Sequence, residues 1–161
     1  MKDKYTIILC SDNHGQEAGL RFLQKEYMNA DYFIHCGDTE LPAQTTADFV
    51  VVQGNNDYYG NFPASRILEI GLHRIYVCHG HRDMFFGRYD MLAEKAEKAG
   101  CDIAFCGHSH VPFAGEYKGV LCLNPGSIWR NRDGSEPSYM IVTFSGSDVS
   151  YELKRYNPMT G

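Results

Sequence analysis

A chain of 161 residues, 43% hydrophobic and 22% charged, has the composition of a globular protein with a single core. Its length excludes an eight-stranded βα barrel of about 250 residues, and with it the barrel-type metal-dependent amidohydrolases. Fifteen Lys and Arg against 20 Asp and Glu leave a formal charge of −5, the wrong sign for wrapping DNA or RNA, so no nucleic-acid polymer is expected as partner.

In chain order, residues 5–10 form a continuous apolar run, the pattern of a strand buried on both faces. The run stops at Ser11-Asp12, too early for a secretory signal. No stretch approaches the ~18 apolar residues of a membrane span, so the expected location is the cytoplasm, with no membrane association. Residues 16–28 carry Leu20, Leu23 and Tyr27 at helical spacing, with Phe22 beside them. Residues 32–36 and 49–52 read as short strands, and 67–70 and 74–78 as a hairpin about Gly71-Leu72-His73. A helix is expected over 89–98, with Gly100 placed to cap it. Strands at 103–106, 120–123, 139–144 and 149–153 complete the set. Alternating strands and helices in the first half predict parallel βαβ units, and the strand-rich second half predicts an added sheet. The fold class is therefore α/β, a two-sheet αββα sandwich, in one domain over residues 1–161. Cys10, Cys36, Cys78, Cys101, Cys106 and Cys122 form no Cys-x-x-Cys pair, and five lie in or at the end of apolar runs. They read as reduced core thiols.

The residues that carry chemistry lie just past the strand ends. The first strand ends in Ser11-Asp12-Asn13-His14, the second in Gly37-Asp38, and the third leads into Gly54-Asn55-Asn56-Asp57. Two later strands end in His79-Gly80-His81 and Gly107-His108-Ser109-His110. Open α/β sheets place their sites at such C-terminal strand ends. Taken singly, a His-x-His is usually surface, a Gly-Asp is a common turn, and Asn-Asn-Asp is ordinary loop chemistry. Five separate loops carrying metal-compatible residues are not explained that way. Carboxylates, imidazoles and an amide oxygen make a mixed N/O set that suits Mn, Fe, Ni, Co or Zn better than Ca or Mg. The absence of thiolates argues against a structural zinc. Gly37, Gly54 and Gly107 let the backbone turn sharply at a strand end and approach a metal closely. The chain has no phosphate-binding Gly-x4-Gly-Lys-(Ser/Thr) loop, no His-Glu-x-x-His and no Gly-x-Ser-x-Gly elbow. It also lacks the cysteine-phosphatase loop and the Asp-x-Asp of aspartyl-phosphate enzymes.

Asp12-x-His14, Gly37-Asp38, Gly54-Asn55-x-Asp57, His79-Gly80-His81 and Gly107-His108-x-His110, in this order, resemble the calcineurin-like metallophosphoesterases. The likeness is to their small prokaryotic phosphodiesterase branch, which shares its fold with a retromer scaffold subunit. Leu123-Asn124-Pro125-Gly126-Ser127 is similar to that branch's late Asn-Pro-Gly-Ser loop. The resemblance implies two divalent ions per chain, manganese first, with Ni, Fe, Co or Zn as alternatives. It assigns Asp12, His14, Asp38 and His110 to one ion, and Asp38 (as the bridge), Asn55, His79 and His108 to the other. Asp38 and Asn55 would also act in catalysis. The implied reaction is in-line attack of a metal-bridging hydroxide on a small phosphodiester. The two ions, less Asp12, Asp38 and the hydroxide, retain a net positive charge that favours a phosphate anion.

Many members of the superfamily carry a histidine, able to protonate the leaving group, where this chain has Asn56. An amide supplies no proton at neutral pH, so activated aryl diesters should react well and alkyl esters slowly. Asp57 either orients a ligand histidine or caps a loop. His81 is a candidate for substrate contact or for support of a ligand, against a solvated loop histidine. His35 is expected as a satisfied core histidine and His73 as an exposed turn residue. Arg130 and Arg132 are candidates for an anionic substrate, against plain surface charge. Tyr58, Tyr59, Phe62, Phe85 and Phe86 are candidates for an aryl pocket or a homodimer interface. A phosphomonoesterase is the alternative activity, and a non-catalytic metal-binding scaffold is the alternative of a different class.

Overall fold

The computed structural model describes residues 3–58, 60–84 and 87–157. Within them the elements run β1 (Lys4–Cys10), α1 (Ala18–Glu26), β2 (Tyr32–His35), β3 (Val50–Val51), β4 (Ser65–Ile70) and β5 (His73–Cys78). They continue as α2 (Tyr89–Lys98), β6 (Ile103–Phe105), β7 (Phe113–Tyr117), β8 (Val120–Asn124), β9 (Ser138–Ser145) and β10 (Asp148–Arg155). A 3-10 turn at Ala43–Thr46 joins β2 to β3. No helix among the described residues is long and apolar enough to cross a membrane.

Two five-stranded mixed sheets result, in the orders β10-β9-β1-β2-β3 and β4-β5-β6-β8-β7. Within them β1, β2 and β3 are parallel, as are β5, β6 and β8. The α/β two-sheet class is the one expected, but the division of strands differs. The C-terminal hairpin β9-β10 does not join a second sheet; β9 pairs antiparallel with β1 in the first. Apolar periodicity in β9 marks its buried residues, but it does not say which free strand edge will receive it. The strand β7 was also not expected from the sequence. Its Phe-Ala-Gly-Glu-Tyr is a mostly exposed edge strand, with too little apolar alternation to register.

Three apolar layers hold the sheets. Ile7 and Leu9 of β1 pack between the sheets with Ile34, Val77, Phe105, Leu123 and Phe144. Ile8 and Cys10 point to the other face, against Leu20 and Leu23 of α1. That is why β1 reads as an unbroken apolar run: both faces are covered. Leu92, Ala93 and Ala96 of α2 cover the second sheet. The helix α2 ends as expected. Gly100, at φ 78, donates its N–H to Glu97, and Cys101 donates to Ala96, closing the last carbonyls. All six cysteines are free and buried. Burial pushes the Cys10, Cys36, Cys78 and Cys106 thiols far up, so they act as apolar groups beneath the site.

Candidate metal centre

The loops after β1, β2, β3, β5 and β6 meet at one edge of the sandwich. Backbone there is unusual: Asp12, His14, Asp38, His108 and His110 all take positive φ, between 47° and 71°, and so does Glu40 at 53°. Non-glycine residues in this region are strained and persist only where the surroundings compel them. Here backbone hydrogen bonds do so: the Asp12 N–H donates to Gly37 O and the His14 N–H to Asp38 O. The Ser127 hydroxyl of the Asn-Pro-Gly-Ser loop donates to Asp12 O at 2.7 Å. Two glycines permit the close approach. A Cβ at Gly54 would lie 2.2 Å from Asp38 Oδ1, and one at Gly107 would lie 2.0 Å from Ser11 Oγ. Their role is thus to let the loops pack against the carboxylates, as much as to clear room for an ion.

Imidazole orientation is set from outside the cluster. His79 Nδ1 donates to Cys36 O at 2.7 Å, and His110 Nδ1 donates to Arg130 O at 3.0 Å. His14 Nδ1 donates to the Glu40 carboxylate. Carbonyls and carboxylates only accept, so each of these nitrogens carries the ring proton and Nε2 is left as a lone pair. Those lone pairs converge. His14 Nε2 lies 2.9 Å from His110 Nε2, and His79 Nε2 lies 3.0 Å from Asn55 Oδ1 and 3.2 Å from His108 Nδ1. Asp12 Oδ2 accepts from the Ser11 hydroxyl at 2.5 Å and the His108 N–H at 3.0 Å. Its other oxygen, Oδ1, is buried without a hydrogen-bond partner. That oxygen sits 3.4 Å from His110 Nε2, 3.8 Å from His14 Nε2 and 3.9 Å from His79 Nε2. Acceptors that face acceptors at such distances repel one another unless a cation lies between them. The residues present therefore fit a metal.

Two overlapping groups bring their ligand atoms close enough together to hold a metal ion: Asp12, His14 and His110, and Asp12, Asp38 and His79. Asn55 and His108 adjoin the second. Asp12 is common to both groups, and Asp38, the bridge that the resemblance implies, belongs to the second, with its Oδ2 3.4 Å from His79 Nε2. Asp38 is also held by the neighbouring loop, its Oδ1 taking the Asn56 N–H at 2.9 Å and its Oδ2 the Asn56 amide at 3.2 Å. Burial would raise the Asp12 carboxyl, but His110 and His79, when a proton occupies Nε2 in place of a metal, and the Ser11 hydroxyl hold it below the usual range. Burial opposes charge on Asp38 as well, and His79 and Asn56 hold it well down. Burial penalises a proton on His79, yet Asp38 and Asp12 outweigh it and raise its basicity. The pocket attracts a cation.

Other candidates fall differently. Asp57 makes no hydrogen bond to a ligand histidine among the described residues and instead caps two loops: Oδ2 accepts the Asp38 and Gly54 N–H groups, each at 2.8 Å. Its Oδ1 accepts the Glu40 N–H at 2.9 Å and the Thr39 hydroxyl at 3.2 Å. Asn56 clamps Asp38. His81 lies beside the centre, its ring 5.3 Å from His79 and 5.9 Å from His108, with Nδ1 buried and unpartnered. His35 is fully buried and satisfied, as expected. It accepts the Gly37 N–H at Nδ1 and donates from Nε2 to Asn13 Oδ1. His73 is not exposed: it opens β5, 7% accessible, with Nδ1 2.7 Å from Asp102 Oδ2. A hairpin position reads as surface in sequence, but the Asp102 loop and the Phe144 ring cover it. Tyr58 is exposed and Phe62 packs on the α1 core. Tyr59, Phe85 and Phe86 lie outside the described residues. Sequence reading missed Glu40 and Ser11; each lies within two residues of a ligand carboxylate, which is the signal that could have found them.

Fold and site together define a class, the metal-dependent phosphoester hydrolases. The model of the calcineurin-like phosphoesterase superfamily domain matches residues 5–147, and the chain belongs to that superfamily. It is similar to "Probable metallophosphoesterase YsnB" of Bacillus subtilis (strain 168), 36% identical over 140 residues, covering 85% of this chain and 83% of that one. Among solved structures it is similar to a conserved uncharacterized protein, a predicted phosphoesterase, of Streptococcus pneumoniae TIGR4. The TM-score is 0.87 at 30% identity, covering 98% of this chain and 95% of that one. The fold is also that of Vacuolar Protein Sorting 29 from Cryptosporidium parvum, with TM-score 0.82 at 20% identity, covering 98% and 94%.

Proposed function

We propose that this chain hydrolyses small phosphodiesters at a centre of two divalent ions, held by Asp12, His14, Asp38, Asn55, His79, His108 and His110. The observation that carries the reading is the orphaned Asp12 Oδ1, buried among the lone pairs of three imidazoles. When bound, the ions supply Lewis-acid activation of water and charge neutralisation at the phosphoryl oxygens; manganese is the first candidate, then Ni, Fe, Co or Zn. The chain's own residues do the positioning. Glu40, Cys36 O and Arg130 O fix the histidine tautomers, and Asn56 and Asp57 hold the loop that carries Asp38.

Diesters are favoured over monoesters by the shape beside the centre. A cavity of about 400 Å³ is lined by His108 and one of about 310 Å³ by Asn55, with His81 lining both. A phosphate seated between them would extend one ester arm into each cavity, whereas a monoester fills one. Hydrolysis of bis(p-nitrophenyl) phosphate by chelator-stripped protein, with and without added Mn²⁺, tests the reading. p-Nitrophenyl phosphate serves as the monoester and Asp38→Asn as the control. Metal-restored diester turnover that the Asp38 variant loses supports it; greater monoester turnover moves the reading to a monoesterase. No turnover with Mn, Ni, Co or Zn overturns it in favour of a non-catalytic metal-binding scaffold.

A further inference from the structure

The chain has eight arginines and an excess of acid, and five of the eight are engaged. Arg21 pairs with Glu17, Arg74 with Glu69 and Arg88 with Asp90. Arg66 donates to Val51 O and Arg155 to Glu136 O. The side chains of the other three, Arg82, Arg130 and Arg132, have no hydrogen-bond or ion-pair partner among the described residues. Arg82 belongs to a loop of the metal centre, and Arg130 and Arg132 to the β8–β9 loop that braces it. Arg82 comes directly after His81, in a turn closed by the Asp83 and Met84 N–H groups on Gly80 O. The Arg132 N–H donates to His110 O at 2.9 Å, which ties that segment to a ligand residue. Arg82 lines the cavity that reaches Asn55, and Arg132 lines the cavity that reaches His108. Each lobe beside the centre therefore has its own uncommitted guanidinium, a group suited to bidentate binding of phosphate.

We infer that the substrate of this site carries a further phosphate beyond the scissile one, on an ester arm, and that the guanidinium of the lobe this arm enters, Arg82 or Arg132, binds it. This inference rests on the phosphoesterase reading and names the class of substrate: small, multiply phosphorylated esters. An uncharged arm gains nothing from either guanidinium. A terminal phosphate gains charge-assisted hydrogen bonds, worth about tenfold or more in kcat/KM, mainly through KM.

The test compares thymidine 5′-(p-nitrophenyl phosphate) with its 3′-phosphorylated form on the Mn²⁺-loaded protein. The 3′-phosphate is expected to raise kcat/KM about tenfold. That ratio should fall toward one in an Arg82→Ala, Arg132→Ala double variant and recover in part with lysine at both positions. Arg74→Ala, distant from the site, should leave it unchanged. No gain from the 3′-phosphate, or a gain the double variant retains, overturns the inference. A second arm needs no turnover: calorimetric titration with adenosine 3′,5′-bisphosphate and adenosine 5′-phosphate. Tighter bisphosphate binding that the double variant loses supports the inference even if no ester is hydrolysed, in which case the catalytic reading alone has failed. Equal affinities for the two ligands overturn it.

Discussion

Asp57→Asn removes one charge and no volume, and its effect can be worked from four hydrogen bonds. Asp57 is 4% exposed and accepts three backbone N–H groups and one hydroxyl through its two oxygens. Asparagine keeps a single acceptor oxygen. In its better orientation that oxygen serves Asp38 and Gly54, and the amide faces Thr39 and Glu40. The Thr39 hydroxyl can turn to accept, but the Glu40 N–H cannot, so one buried donor is left unpaired at about 1–3 kcal/mol. With the loss of charge assistance at the other bonds, the total is about 2–4 kcal/mol. That is a large share of the ~5–15 kcal/mol stability of an ordinary domain. Urea unfolding in chelator, at an m-value of about 2 kcal/mol/M, should show the midpoint about 1–2 M lower. Because Asp57 also sets the Asp38 backbone, Mn²⁺ affinity should fall with stability. A midpoint shift under about 0.5 M with unchanged metal affinity would refute the claim that this carboxylate joins the two loops.

The same geometry sets further expected outcomes. Burial pushes the His35 imidazole down to about 4, against 6.5 when exposed. The unfolded chain then binds a proton that the native one does not, so stability is full above pH 6.5. It falls by up to about 3 kcal/mol as the pH drops to 4. Denaturation midpoints across this range in chelator should show that slope, and His35→Gln should flatten it; equal slopes would count against burial as its cause. Glu40→Ala frees the His14 ring and should weaken Mn²⁺ binding about 10–100-fold in a chelator competition, with little change in unfolding midpoint. Aryl diesters should exceed alkyl diesters in kcat/KM. Asn56→His should narrow that ratio while lowering aryl turnover, because the Asn56–Asp38 hydrogen bond is lost.

Much of the candidate site is legible in sequence because its residues are local. Asp12 and His14, or His108 and His110, lie two residues apart at a strand end, and an apolar run trailed by Gly and a polar ligand is readable without coordinates. The αββα class came from the same alternation. Other features depend on partners far along the chain. Glu40 meets His14 across 26 residues, and Asp57 meets Asp38 across 19. Neither contact has a periodic trace, so Asp57 read equally as a capping or an orienting residue, and Glu40 did not register at all. His73 read as exposed because its turn is local, whereas its cover comes from Asp102 and Phe144.

The sequence by itself determined the candidate ligands at the strand ends, the core pattern and the family, because these rest on residue type and short-range spacing. The tertiary structure decided three other things. It placed β9 against β1, brought Asp12 and Asp38 within reach of the same histidine, His79, and left Arg82 and Arg132 without partners among the described residues. Each depends on which edge, donor or acid another segment brings within hydrogen-bond reach. Packing settles that, and spacing along the chain does not encode it.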